Sequence, residues 1–104
     1  MTIRIRVRPE AEADIADAYS WYEESRPGLG EGFLEAVRES LRSVQTHSEG
    51  YAVVHADIRR VLLRRFPYGL FYYLARDEIV VLGCLHARRD PKTWQARGRR
   101  RGEA

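Results

Sequence analysis

Apolar and charged residues alternate at the start of the chain: Ile3, Ile5 and Val7 are interleaved with Arg4, Arg6 and Arg8. A period of two predicts a strand with one buried face. Pro9 ends it and can open a helix. Glu10, Glu12 and Asp14 then fall where the positive end of the helix dipole favours carboxylates. Ile15, Ala18, Tyr19 and Tyr22 recur at helical spacing until residues 25–28, Ser-Arg-Pro-Gly, break the pattern. A second helix is predicted over residues 30–46. There Phe33, Val37, Leu41 and Val44 form one stripe, and Glu31, Glu35, Arg38, Glu39 and Arg42 fall largely on the other side. Two helices joined by a short Pro-Gly loop read as an antiparallel hairpin, with Trp21 packing at its edge.

From Tyr51 the period changes to that of strands. Short apolar runs are predicted as strands over residues 51–55, 58–66, 70–75 and 79–85. Phe66-Pro67-Tyr68-Gly69 reads as a turn or bulge, because proline removes a ladder donor and glycine permits unusual backbone angles. Arg76-Asp77-Glu78 reads as a tight hairpin connection. The order is β-α-α-β-β-β-β, an α+β domain with the antiparallel helical hairpin packed on one face of a small, mostly antiparallel sheet. Phe33, Val37, Leu41, Val81 and Leu85 are its expected core. One domain is expected over residues 1–96, followed by a basic, disordered tail over 97–104.

Charge adds a polarity to this picture. Residues 1–50 hold six arginines against ten carboxylates, a net −4; residues 51–104 hold twelve basic residues against five carboxylates, a net +7. Of the 18 basic residues all but Lys92 are arginine. Biased composition would explain a preference for Arg over Lys, but not the asymmetry between the halves. The basic half reads as a surface for nucleic acid or an acidic protein, since the guanidinium fork suits phosphate and carboxylate. The apolar run from residue 79 to 85 is far too short to span a bilayer, and the alternating N-terminus is no signal peptide. Cys84 is alone, so it forms no internal disulfide. It reads as a small buried hydrophobe in a reducing, cytoplasmic setting.

The candidate chemistry is narrow. His47, His55 and His86 lack the spacing of a metal site, and no cofactor-binding glycine loop or nucleophile elbow is present. Asp90 precedes Pro91, where turn capping is its expected role. What remains is an arginine-rich set on or beside the sheet: Arg59, Arg60, Arg64 and Arg65 on the long strand, and His86, Arg88 and Arg89 closing the last one. Arginines on phosphates with tyrosines on bases could bind RNA, and His86 could act as a general base. The same arginines could instead pair with helix carboxylates, and His86 could hold a structural hydrogen bond.

Across nearly its whole length the chain resembles the RelE/ParE toxins of type II toxin–antitoxin modules. The resemblance rests on Pro9, Ala11 and Asp14-Ile15, then Trp21-Tyr22-Glu23, Pro27-Gly28-Leu29-Gly30 and Phe33. It continues through Ile58-Arg59-Arg60, Phe66-Pro67-Tyr68 and Tyr72 to His86-Ala87-Arg88-Arg89-Asp90-Pro91, Trp94 and Arg97. It implies a small cytoplasmic toxin, without metal or cofactor, neutralised by a cognate antitoxin. RelE-like members are ribosome-dependent, metal-independent endoribonucleases; on that reading His86, Arg59 and Arg65 are the catalytic candidates, and the partners are the ribosome and messenger RNA. ParE-like members poison DNA gyrase; on that reading Arg88, Arg89 and Arg97 contact the target. The single lysine, and the lack of tyrosine in the last thirty residues, depart from the RelE pattern. The Trp-Tyr-Glu and Arg-Asp-Pro features are closer to ParE, so gyrase inhibition is the expected function. A non-toxic binding or plasmid-maintenance relative is the remaining alternative.

Overall fold

The computed structural model describes residues 3–98. Strand β1 (Arg4–Val7) leads into α1 (Pro9–Ser25) and α2 (Leu29–Thr46), followed by β2 (Val53–His55), β3 (Ile58–Leu62), β4 (Tyr68–Leu74), β5 (Glu78–His86) and a short α3 (Pro91–Gln95). The sheet order is β1-β5-β4-β3-β2. β1 runs parallel to β5, and every other pair is antiparallel. The expected α+β architecture is present, with the hairpin on one face.

The hairpin turn is built by its own side chains. The Glu23 carboxylate accepts from the backbone N–H groups of Gly28 and Gly30, at 3.0–3.1 Å, satisfying donors at the start of α2. Gly28 has φ 92°, a left-handed conformation that residues with a Cβ rarely adopt. Phe33, Val37 and Val44 of α2, with Ala18 and Tyr22 of α1, bury against Val61, Leu70, Tyr72, Ile79 and Val81 of the sheet. Leu41 is only half-buried at the margin of this core, whereas the period had placed it inside.

The second sheet face is also covered. Trp94 of α3 stacks on Phe71 at 4.5 Å and caps a cluster with Ile58, Tyr73, Val80, Leu82 and Leu85. Leu85 is therefore core, but on the face opposite the hairpin. The cause is an irregularity in the β4–β5 register: Tyr72 pairs with Val81 and Phe71 with Gly83, so Leu82 is an extra residue. Such a bulge reverses the alternation beyond it. Val81 and Cys84 face the hairpin, while Leu82 and Leu85 face α3.

Three other expectations change. β3 ends at Leu62 instead of running to Phe66, because the chain turns before Pro67 and Arg65 takes a positive φ of 69°. Trp21 projects into solvent, 62% exposed, instead of packing at the hairpin edge. The segment set aside as tail after residue 96 is tied to the domain at Arg97; residues 99–104 lie outside the described residues.

Candidate functional site

The Phe66-Pro67-Tyr68 segment joins hairpin and sheet. Phe66 and Tyr68 insert their rings among Tyr22 and Phe33, with centroids 5.0–6.0 Å apart. Tyr68 then meets the His86 ring edge-on at 5.3 Å, and the two residues pair across β4 and β5. The Pro67 carbonyl accepts from Ala87 N–H at 2.8 Å, fixing the point where the chain leaves β5. A tight turn follows: the His86 carbonyl accepts from Arg89 N–H at 2.9 Å, and its ring Nδ1 accepts from Arg88 N–H at 3.0 Å. A ring nitrogen that accepts this bond carries no proton, which assigns the ring hydrogen to Nε2. Asp90 caps α3 by accepting from Lys92 N–H, as its place before proline predicts.

This turn exposes Arg88 and Arg89 side by side. Neither guanidinium has an ion-pair or hydrogen-bond partner among the described residues. Arg89, His86 and Tyr68 border a solvent-open cleft of about 260 Å³ whose far wall is α1, with Asp17 and Trp21. Burial raises the Tyr68 phenol above its ordinary value, reinforced by Tyr22 and Cys84 and opposed by the positive charge of Arg89. It therefore stays protonated at neutral pH. Beneath the cleft the Cys84 thiol is pushed up to about 12, chiefly by burial and further by the Asp14 carboxylate. A thiol so disposed supplies no nucleophile.

The remaining candidates are placed elsewhere. Arg59 lies opposite Tyr72, four residues along β4 from the Tyr68–His86 pair, or roughly 13 Å of strand. Its guanidinium donates to the backbone carbonyls of Glu49 and Tyr51 at 3.0 and 2.8 Å, where it ties β3 to the end of the hairpin. Arg65 is exposed in the β3–β4 turn, at the His86 end of the sheet. Arg97 is largely buried and committed: it donates to Asp14 at 2.6 and 3.4 Å and to the Leu82 carbonyl at 3.2 Å. Asp14 accepts in addition from Cys84 N–H at 3.0 Å. No group of three or more His, Cys, Asp or Glu side chains among the described residues is placed to hold a metal ion.

Asp17 and Trp21 were missed as site residues. The available signal was their spacing: Asp14, Asp17 and Trp21 share one face of α1, and an exposed tryptophan on a helix that already has a complete apolar stripe has no packing role to fill.

A mixed sheet with a parallel N-terminal strand, under a helical hairpin and edged by arginines, defines a small α+β domain. Comparison makes the class specific. The sequence model described as "ParE toxin of type II toxin-antitoxin system, parDE" matches residues 5–91. The chain belongs to that family. It is thus the toxin half of a two-protein module, with a cognate antitoxin as its partner. Toxin ParE2 of Mycobacterium tuberculosis, from strains CDC 1551 / Oshkosh and ATCC 25618 / H37Rv, is 27% identical over 100 residues, covering 92% of each chain. A chain of the structure described as "Chromosomal ParDE TA system from P. aeruginosa" shares the fold. Its TM-score is 0.63 at 20% identity, over 82% of this chain and 96% of that one. No helix among the described residues is long and apolar enough to cross a membrane.

Proposed function

We propose that the chain is a cytoplasmic, growth-arresting toxin that acts on DNA gyrase and is silenced by its cognate antitoxin. Family membership supports the toxin role. The observation that carries the choice of target is the separation of His86 from Arg59. A nuclease needs its base and its phosphate-binding cations around one scissile bond, within hydrogen-bond reach of the reacting atoms. Arg65 lies at the His86 end of the sheet, but Arg59 is held on backbone carbonyls along the sheet from it, so the three candidates do not converge. Arg88 and Arg89, exposed and unpaired, are the residues assigned to the target in this reading, where gyrase with its bound DNA offers anionic surface. Arg97 enters as an anchor of the fold, because Asp14 already holds its guanidinium.

The antitoxin is proposed to cross the hairpin and a sheet edge with a helix and an extended strand, folding as it binds. The decisive experiment adds purified chain to two reactions, supercoiling by gyrase and translation on programmed ribosomes. Inhibited supercoiling with intact message is the expected result. Codon-positioned RNA cuts with normal supercoiling would identify the ribosome-dependent nuclease instead. Inactivity of the folded, antitoxin-free chain in both would identify a non-toxic relative.

A further inference from the structure

The cleft between α1 and the end of β5 holds two opposite charges that do not meet. Asp17 stands on the helical wall and Arg89 on the sheet wall, and neither side chain has a partner among the described residues. On the same helical wall Trp21 is 62% exposed, with an edge contact to Tyr22 at 5.0 Å as its only ring contact among the described residues. Asp14, the other carboxylate of this wall, is engaged by Arg97 and Cys84. The cleft thus offers an acceptor at one side, a flat apolar ring, and donors at the other.

We propose that this cleft binds a guanine nucleotide, either free or as an unpaired residue of a nucleic-acid strand. The Watson–Crick edge of guanine presents two adjacent N–H donors, N1–H and the N2 amino group, to which one carboxylate can bind with both oxygens. Asp17 supplies that carboxylate. Adenine turns an acceptor, N1, toward the same position and is disfavoured. Trp21 provides the stacking surface, as aromatic side chains do where proteins hold single strands. The phosphate falls to Arg89, assisted by two further donors, the Nε2–H of His86 and the hydroxyl of Tyr68. Ligand pockets commonly span roughly 300–1,000 Å³. At about 260 Å³ this open cleft lies just below that range, which leaves room for one nucleotide at most. The site shares Arg89 with the target contact proposed above, but its test reads nucleotide binding and holds whichever target the toxin inhibits.

Tryptophan emission tests it on the full chain. Trp94 is buried against Phe71 and serves as an internal reference, so a ligand-dependent signal comes from Trp21. GMP, AMP and a short single strand of thymines with one central guanine are the probes. GMP is expected to quench saturably, with AMP weaker by about tenfold, the scale of one bidentate base contact. Trp21→Phe removes the response while Trp94 emission persists and reports folding. Asp17→Asn abolishes the preference for GMP over AMP, and Arg89→Ala weakens both. A response to GMP alone identifies the free nucleotide as the source of the guanine; a response to the oligonucleotide alone identifies a strand. Equal affinity for GMP and AMP in the unaltered chain overturns the proposal. So does the absence of quenching by all three probes, or a Trp21 signal that answers only to a protein segment such as the antitoxin.

Discussion

Asp14 holds three parts of the molecule together through one side chain: α1, which carries it, the Cys84 N–H of β5, and the Arg97 guanidinium. Its side chain is 11% exposed and that of Arg97 19%, so neither charge is well hydrated once its partner is gone. Removing one member of a buried pair is costly because the other charge stays behind. Arg97→Ala should lower stability by about 1–3 kcal/mol in urea unfolding, less than for a fully buried pair. Arg88→Ala, on an unpaired and exposed side chain, should leave the unfolding midpoint unchanged within about 0.5 kcal/mol. Nothing in the sequence distinguished these two arginines. The partner of Arg97 lies 83 residues away, and charge pattern alone counts both as free cations. Cys84 was legible, because a lone cysteine inside an apolar strand has few other roles. Its folded value, about 12, exceeds the ordinary 9.0 of an exposed thiol. Between these values the unfolded chain releases a proton that the folded chain keeps. Stability should therefore fall as pH rises from about 9 toward 12, and be unaffected by this group below pH 9. Native Cys84 should resist thiol reagents at pH 8 and react fully in denaturant; rapid modification of the folded chain would contradict its burial.

At the scale of elements, the helices were read almost to the residue, because a 3.6-residue stripe over 18 residues leaves little ambiguity. Phe33→Ala should cost about 3–5 kcal/mol, since its ring is fully buried against Tyr22, Phe66 and Tyr68. Leu41→Ala, at the half-buried margin, should cost about 1–2 kcal/mol. The strands were legible as runs but not in their facing. Alternation along β5 places Val81 and Leu85 together, and a bulge at Leu82 separates them. Gly83 was its signal, since a glycine inside a strand marks a bulge or a close approach. Here the approach is that of Arg97: a Cβ on Gly83 would lie 3.0 Å from its Nη1 and 3.4 Å from the Asp14 carboxylate. Gly83→Ala should destabilise by about 1–2 kcal/mol, and the effect should shrink when Arg97→Ala is already present. Additive effects would show that the glycine is needed for the strand and not for the arginine. α3 escaped notice because five residues give no periodicity; Asp90-Pro91 was its N-terminal signature, read only as a turn.

At the scale of the whole molecule, the layering followed from element order, because helices that precede four short strands must cover one face of the sheet those strands form. The position of β1 did not follow. It lies at the edge beside β5, its residue Arg4 opposite Glu78, so the first strand made is paired with the last. The target choice is also read at this scale. Arg88→Ala with Arg89→Ala should abolish inhibition of supercoiling while the unfolding midpoint holds, and the loss should be mimicked in the unaltered chain by raising salt. Inhibition that persists in the double variant would remove this rim from the target contact. The pairing of β1 with β5 has a consequence for the timing of synthesis. At translation rates of about 5–20 residues per second, the 74 residues added after Arg4 up to Glu78 take roughly 4–15 s to make. Throughout that interval the nascent chain has an N-terminal strand with nothing to pair with, and neither His86 nor the arginine turn yet exists. The sheet therefore cannot close until β5 has been made. A toxin whose sheet closes only then leaves an antitoxin already in the cell time to meet each copy as it finishes folding.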